Sequence, residues 1–336
     1  VICRFLTALV TFPVAVSCVN QWQSRLRKVS WRLFVGGQMN KAAIQGSTQQ
    51  FSIEIMPRDA RRIEDFRNHL PVGTAVYVAW PPKAELEDMI YAAAKLHSEG
   101  MVPVSHVVAR RLESEKMLWD LIRALSERAQ ITRLLLLGGD PDTPIGPYPD
   151  ANAILESGVL EAFQIKAVDI AGFPQGHPVM TGDQLSDVLQ EKIAGARHLG
   201  MHIRVVSQFV LDPTAVIDWH ANTYNRVAGG APLHIGIPGI VSTKRLLQVA
   251  KACGLSGSFR IVRKGGLRLA QTAMSNGATG ELVGALAELV KSEDDVSGFH
   301  FYTFGNFEET AAWVCAVANG QFDLKDETIH VHVSSS

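Results

Sequence analysis

The most constraining feature of this chain is a rhythm. From residue 51 onward, short apolar runs alternate with longer segments of helical period. The strand-like runs fall at residues 52–55, 75–80, 102–108, 133–137, 167–171, 204–209, 233–237 and 298–303. RLLLLGG and IRVVSQFV are almost continuously apolar, as parallel strands covered on both faces must be. Helical spacing occupies 61–70, 84–99, 114–128, 152–163, 184–199, 215–227, 242–253 and 306–319. A further stretch at 267–291, broken near Asn276-Gly277, adds helix before the last strand. Asp59 is placed to cap the first helix, and Gly100, Gly200 and Gly254 stand where a left-handed residue ends others. Strict alternation requires a parallel sheet with right-handed crossovers. Eight units in roughly 270 residues predict an α/β fold, a closed (β/α)8 TIM barrel with extra helices before its last strand. A Rossmann fold is disfavoured, because no glycine-rich fingerprint opens the first unit.

Composition narrows the function classes. The chain has 336 residues, 47% hydrophobic and 19% charged, which excludes a disordered polymer. Lys and Arg number 32 against 33 Asp and Glu, a net charge of −1, so there is no basic footprint for nucleic acid. Cys3, Cys18, Cys253 and Cys315 form no C-x-x-C pair. Free thiols in a reducing compartment are expected, and neither a disulfide scaffold nor a zinc centre. The apolar run FLTALVTFPVAV after Arg4 has three readings: a signal segment, an extra helix, or an over-extended reading frame whose true start is Met39. It is too short, and too broken by Pro13, to span a membrane as a helix. The expected organisation is an extension at 1–38 outside the fold, a barrel at 39–323, and a tail at 324–336 that adds a short strand or is loose.

In such a barrel, function is built where the strands end. Those ends carry Glu54 in SIEIMP, Trp80-Pro81, His106 in PVSHVV and Gly138-Gly139-Asp140 in LLLLGGD. They continue with His177 in AGFPQGHP, Gln208 and Asp212 in VVSQFVLD, Pro238-Gly239 in IGIPG, and Tyr302 in HFYTFG. Convergence of polar groups on one rim is the main signal, because buried polar groups are costly unless paired or used. Taken singly, each has a plainer explanation. Glu54 could pair with a lysine, Asp140 could cap a turn, and His106 and His177 could be satisfied structural histidines. Gln208 is harder to dismiss, because a buried amide has four hydrogen-bonding needs. His330 and His332 suit an edge strand better than a metal. Ser207 lacks the G-x-S-x-G context of a serine hydrolase, and the rim lacks the aromatic platform of a glycosidase.

Together, SIEIMP, LLLLGGDP, AGFPQGHP, SQFVLD, IGIPGI and GFHFYTFG resemble the methylenetetrahydrofolate reductase family, collinearly from Phe51 to Trp313. The resemblance implies a TIM barrel that holds FAD and interconverts 5,10-methylene- and 5-methyltetrahydrofolate with electrons from NAD(P)H. It implies that Glu54 is the acid that protonates the folate as its methylene ring opens. A C–N bond breaks readily only when the leaving amine gains a proton, which an acid of raised pKa can supply. It implies that Asp140 tunes charge near the flavin and pterin, with Gln208 and Tyr302 on the substrate. It implies cofactor contacts at His106, Gly139, Asp140, Phe173, His177 and Lys192. This sequence departs from the family pattern at Gly138, at Phe173, where a tyrosine hydroxyl is lost, and at Leu185, Val188 and Glu191. It departs again at Asn306 and near Lys244. Glu191 in place of a phosphate-facing arginine weakens anion binding.

The rival reading is a tetrahydrofolate-binding barrel without its own redox cycle, a partner in methyl transfer or demethylation. Under the resemblance the protein is a cytoplasmic enzyme of one-carbon metabolism and methionine biosynthesis. It takes a small-molecule folate and no metal, avoids nucleic acid and membrane, and forms homo-oligomers. Export would part such an enzyme from reduced cofactors, which favours the start at Met39.

Overall fold

The computed structural model describes residues 39–139, 141–252, 277–325 and 328–332. Eight parallel strands close into a barrel in chain order. They are β1 (Ser52–Ile55), β2 (Ala75–Val78), β3 (Val102–Val108), β4 (Arg133–Leu137), β5 (Ala167–Gly172), β6 (His202–Phe209), β7 (Leu233–Pro238) and β8 (Val296–Tyr302). The ring is sealed by β1 against β8, with Ser52 opposite His300, Ile53 opposite Phe301 and Glu54 opposite Tyr302. This is the α/β TIM barrel that the alternation predicts.

Period-two alternation decides which side chains enter the barrel. Tyr77 on β2 reaches Asp169 on β5, and Ser52 on β1 reaches His234 on β7. Those positions therefore point inward, and so do Glu54, His106, Arg133, Arg204 and His300, which share their phase. The intervening residues, including Ile53, Ile55, Val76, Phe299 and Phe301, are fully buried under the outer helices. Much of the apolar core thus lies between strands and helices, while the lumen holds both polar side chains and a smaller apolar cluster of Val104, Leu135 and Val206 around Tyr77.

The helices follow local rules. Glu115–Ala129 starts where Ser114 Oγ accepts from Met117 N at 3.2 Å, and it buries Leu118, Leu121, Ile122 and Leu125. Gly182–His198 opens with a capping box between Thr181 and Gln184. Asp212 caps Pro213–Trp219 through Thr214 N at 2.9 Å. Among the described residues, the helices Thr243–Ala252 and Gly277–Ser292 lie between β7 and β8, and the part of the expected helical stretch at 267–276 lies outside them.

Three expectations needed correction. The helix expected at 61–70 runs instead over Pro57–Arg62, because Pro57 suits the first turn and Asp59 accepts from Met56 N at 3.0 Å from inside the helix. The single helix expected at 152–163 is two, Ala151–Leu155 and Val159–Ala162, parted by Gly158 at φ 74. The helix expected at 215–227 passes into a π turn at His220–Tyr224. The tail pairs Thr328–Val331 with Phe322–Lys325 as an antiparallel hairpin. Cys315 is a free thiol; Cys3, Cys18 and Cys253 lie outside the described residues. Among the described residues no helix is long and apolar enough to cross a membrane.

Candidate functional site

The barrel mouth brings Glu54 and His106 together. Glu54 Oε2 lies 3.4 Å from His106 Nε2, with the side chains 14% and 9% exposed. Such a distance suggests an ion pair, but the environment favours two neutral groups. Burial pushes the Glu54 carboxyl up to about 8. Burial, and then the charge of Arg111, pushes the His106 imidazole down to about 3. Desolvation penalises both charged forms, and its effect outweighs the attraction that an ion pair would gain. His106 Nε2 has no hydrogen-bond partner among the described residues. The outcome at neutral pH is a protonated carboxylic acid against a neutral imidazole.

The neighbouring strand ends build the walls. Tyr302, level with Glu54 across the β1–β8 seam, donates its hydroxyl to Ser207 O at 2.9 Å. Its ring stacks on Phe304 and meets Phe209 edge-on. Half-buried Gln208 sits on an irregularity of β6, where the register to β7 shifts between Val206 and Phe209. Ser207 Oγ accepts from Gly236 N at 2.8 Å there, and a Cβ at Gly236 would meet Ser207 O at 2.4 Å. Only glycine lets the two backbones approach this closely. Gly139 is equally constrained, with φ 107 and a notional Cβ 2.5 Å from Val108 Cγ1. Asp140 lies outside the described residues.

A second group of expected residues lies on the loop after β5. Phe173 and His177 meet edge-on at 5.2 Å, and burial lowers the His177 imidazole. Leu211 N donates to Gln175 Oε1 at 2.6 Å, tying this loop to the end of β6. Lys192 is on the buried face of Gly182–His198. Burial lowers its ammonium, opposed by the charges of Asp150 and Glu191. This is a poor fit to the diphosphate of FAD. On this helix Leu185 and Val188 offer no charge, and the carboxylate of Glu191 adjoins the lysine. A diphosphate asks for convergent cations or free backbone N–H groups.

Below the mouth lies a network that sequence reasoning missed. Asp169, fully buried on β5, accepts from Arg133 Nη1 at 2.6 Å and from Arg204 Nη2 at 3.0 Å, and also from the Tyr77 hydroxyl. Arg204 Nη2 donates to Tyr77 Oη at 2.7 Å, and Arg204 Nη1 is 3.4 Å from His234 Nε2. Ser52 Oγ then bridges His234 Nδ1 at 3.1 Å and His300 Nδ1 at 2.9 Å. Burial holds both histidines well below their usual range, and the charge of Arg204 adds to this in each. A readable signal existed: AVDIAG, HIRVVSQF, LHIGIP and VSGFHFY each place a polar residue at an inward position of an apolar parallel strand.

Among the described residues, His220, Glu293 and Asp295 form one group with metal-capable atoms within 4.8 Å of one another. His220 Nε2 lies 2.9 Å from Asp295 Oδ1, a hydrogen bond that by itself accounts for two of the three.

No family model matches the sequence. Among solved structures, the fold is similar to a Clostridium thermocellum protein described as binding two copies of 5-methyl-5,6,7,8-tetrahydrofolic acid. The TM-score is 0.57 and the identity 11%, over 82% of this chain and 95% of that chain. A dihydropteroate synthase from Thermus thermophilus gives a TM-score of 0.43 at 12% identity, over 78% of this chain and 91% of that chain. At 11% identity the first of these is a likeness of fold alone.

Proposed function

We propose that this barrel binds a tetrahydrofolate at its mouth, with Glu54 as a neutral acid facing the pterin's ring nitrogens, and without a redox cycle of its own. The observation that carries the reading is the Glu54–His106 pair. A carboxyl that keeps its proton to about pH 8 can donate a hydrogen bond, or a proton, to an amine nitrogen at neutral pH. Gln208 supplies an amide of the kind that pairs with a pterin edge, whose donors and acceptors lie side by side. Half-buried Tyr302 and Phe304, stacked on each other and backed by the buried Phe209, give this end an aromatic side that the sequence reading of the rim did not expect, against which a flat heterocycle can pack. The fold shared with a methyltetrahydrofolate-binding protein supports the same ligand class.

The second reading is the flavin-dependent interconversion of methylene- and methyltetrahydrofolate, with NAD(P)H as donor. Phe173 and His177 on the β5 loop favour it as flavin contacts, and the charge environment of Lys192 weighs against it. FAD, when bound, would supply hydride transfer. Calorimetry with 5-methyltetrahydrofolate, with and without FAD, separates the two. Folate binding that is independent of FAD, and weakened at least about tenfold in Glu54→Ala or Gln208→Ala, as loss of a hydrogen bond from a buried group implies, supports the first, while Glu54→Gln, whose amide still donates, should bind nearly as the parent does. Binding or turnover that requires FAD selects the second. No folate binding under either condition removes both.

A further inference from the structure

We infer that Arg204 sets the tautomers of His234 and His300 through Ser52, and that His300 Nε2–H is thereby a permanent donor beneath the Glu54–His106 pair. Its functional meaning rests on the proposed reading of Glu54, but the tautomers can be measured without any ligand. One group in the relay has a fixed role. A guanidinium only donates, so the contact from Arg204 Nη1 makes His234 Nε2 the acceptor. Both histidines are neutral when buried in this way, so each carries one ring proton. The His234 proton must then lie on Nδ1, which donates to Ser52 Oγ. Ser52 has a single hydroxyl hydrogen, and it is left for His300 Nδ1. With Nδ1 accepting, the His300 proton is on Nε2. Every link has one direction.

The far end of this relay is where function enters. His300 is fully buried, and its Nε2 has no hydrogen-bond partner among the described residues. His300 and His106 pack against the same Tyr77 ring, with centroids 4.5 and 6.4 Å away, and His300 meets Tyr302 edge-on at 4.6 Å. Asp169 clamps Arg204 and Tyr77 together, so the ring under the acid and the guanidinium that orients the relay are one rigid unit. A fixed N–H dipole in the lumen stabilises the carboxylate form of a nearby acid. His300 is one inward position below Tyr302, the register partner of Glu54, so this dipole would favour the Glu54 carboxylate from the layer beneath it. The groups around that acid are His106 on β3, Tyr77 on β2, Tyr302 on β8, and Arg111, whose charge reaches His106. Ser52, His234 and Arg204 are then positioning residues.

The test is long-range proton–nitrogen correlation on the whole protein with nitrogen-labelled histidine. The expected result is Nδ1–H for His234 and Nε2–H for His300, unchanged across the neutral pH range. Ser52→Ala cuts the relay without removing a charge. It should leave His234 as it is, release His300 to a mixture of tautomers, and move the Glu54 titration upward by a fraction of a unit, read from its carboxyl carbon. Arg204→Met should release both histidines. If that variant fails to fold, Ser52→Ala still decides. An Nδ1–H tautomer at His300 in the parent protein, or an unchanged His300 tautomer in Ser52→Ala, overturns the relay and leaves the folate reading untouched. An unmoved Glu54 titration, with the tautomers as expected, overturns the link to the acid.

Discussion

The mouth and the floor of the barrel solve one problem in opposite ways. Both place ionisable side chains in a lumen that water barely enters. At the floor, Asp169 stays among two guanidiniums and a phenol, every oxygen occupied. At the mouth, Glu54 faces the neutral imidazole of His106, with no cation among the described residues paired to it in the same way, and keeps its proton. A charge whose oxygens are all paired in place serves architecture. A group held near its transition can respond to a ligand. The contrast, more than any one residue, points to the mouth as the working end.

Removing the floor's hub should cost most. Asp169→Ala leaves the half-buried Arg133 and Arg204 without their carboxylate, and a loss of about 3 kcal/mol is expected in denaturant unfolding. A loss of only about 1 kcal/mol, the range of an exposed pair, would mean that the floor charges are hydrated, and the contrast would fail. Gly139→Ala attacks the mouth through the backbone alone. A β-carbon at φ 107, facing Val108 at 2.5 Å, should cost about 2–3 kcal/mol and weaken folate binding without altering the Glu54 titration.

A pH series sharpens the mouth side. Above its ordinary 4.5 and up to about 8, Glu54 holds a proton in the folded state that the unfolded chain has lost, so stability falls as pH rises through that window. His106 acts oppositely between about 3 and 6.5, where the unfolded chain holds the extra proton and stability rises with pH. The two oppose each other between 4.5 and 6.5, and only the Glu54 slope remains above that. Stability should drop by about 2 kcal/mol from pH 6.5 to about 8, and that drop should vanish in Glu54→Gln. A surface control closes the set. Arg128 and Glu87 are exposed partners at 2.7 Å, and Arg128→Ala should cost less than about 1 kcal/mol.

The barrel was legible in the sequence because its strands are apolar on both faces and their spacing leaves room only for crossover helices. The runs at 52–55, 102–108 and 133–137 coincide with observed strands. Glu54 and His106 were legible as strand-end residues, but not as partners, since they stand on β1 and β3 with β2 between them. The floor was overlooked for a physical reason. Asp169 and Arg204 are register partners on β5 and β6, yet lie 35 positions apart in the chain. Their pairing becomes visible only when the inward phase of each strand is read across the whole ring.

The seam between β1 and β8 has a consequence for how the protein comes into being. It joins Ser52 to His300, so the ring cannot close until nearly all of the barrel's chain exists. Contacts of such sequence separation form late and slowly. Before closure Glu54 stands at an open edge, wet, with an ordinary carboxylate pKa. Its retained proton is thus a property of the finished ring, and the charge on one side chain becomes a clock for folding. In a refolding experiment at neutral pH, proton uptake should coincide with barrel closure, later than the first helical signal.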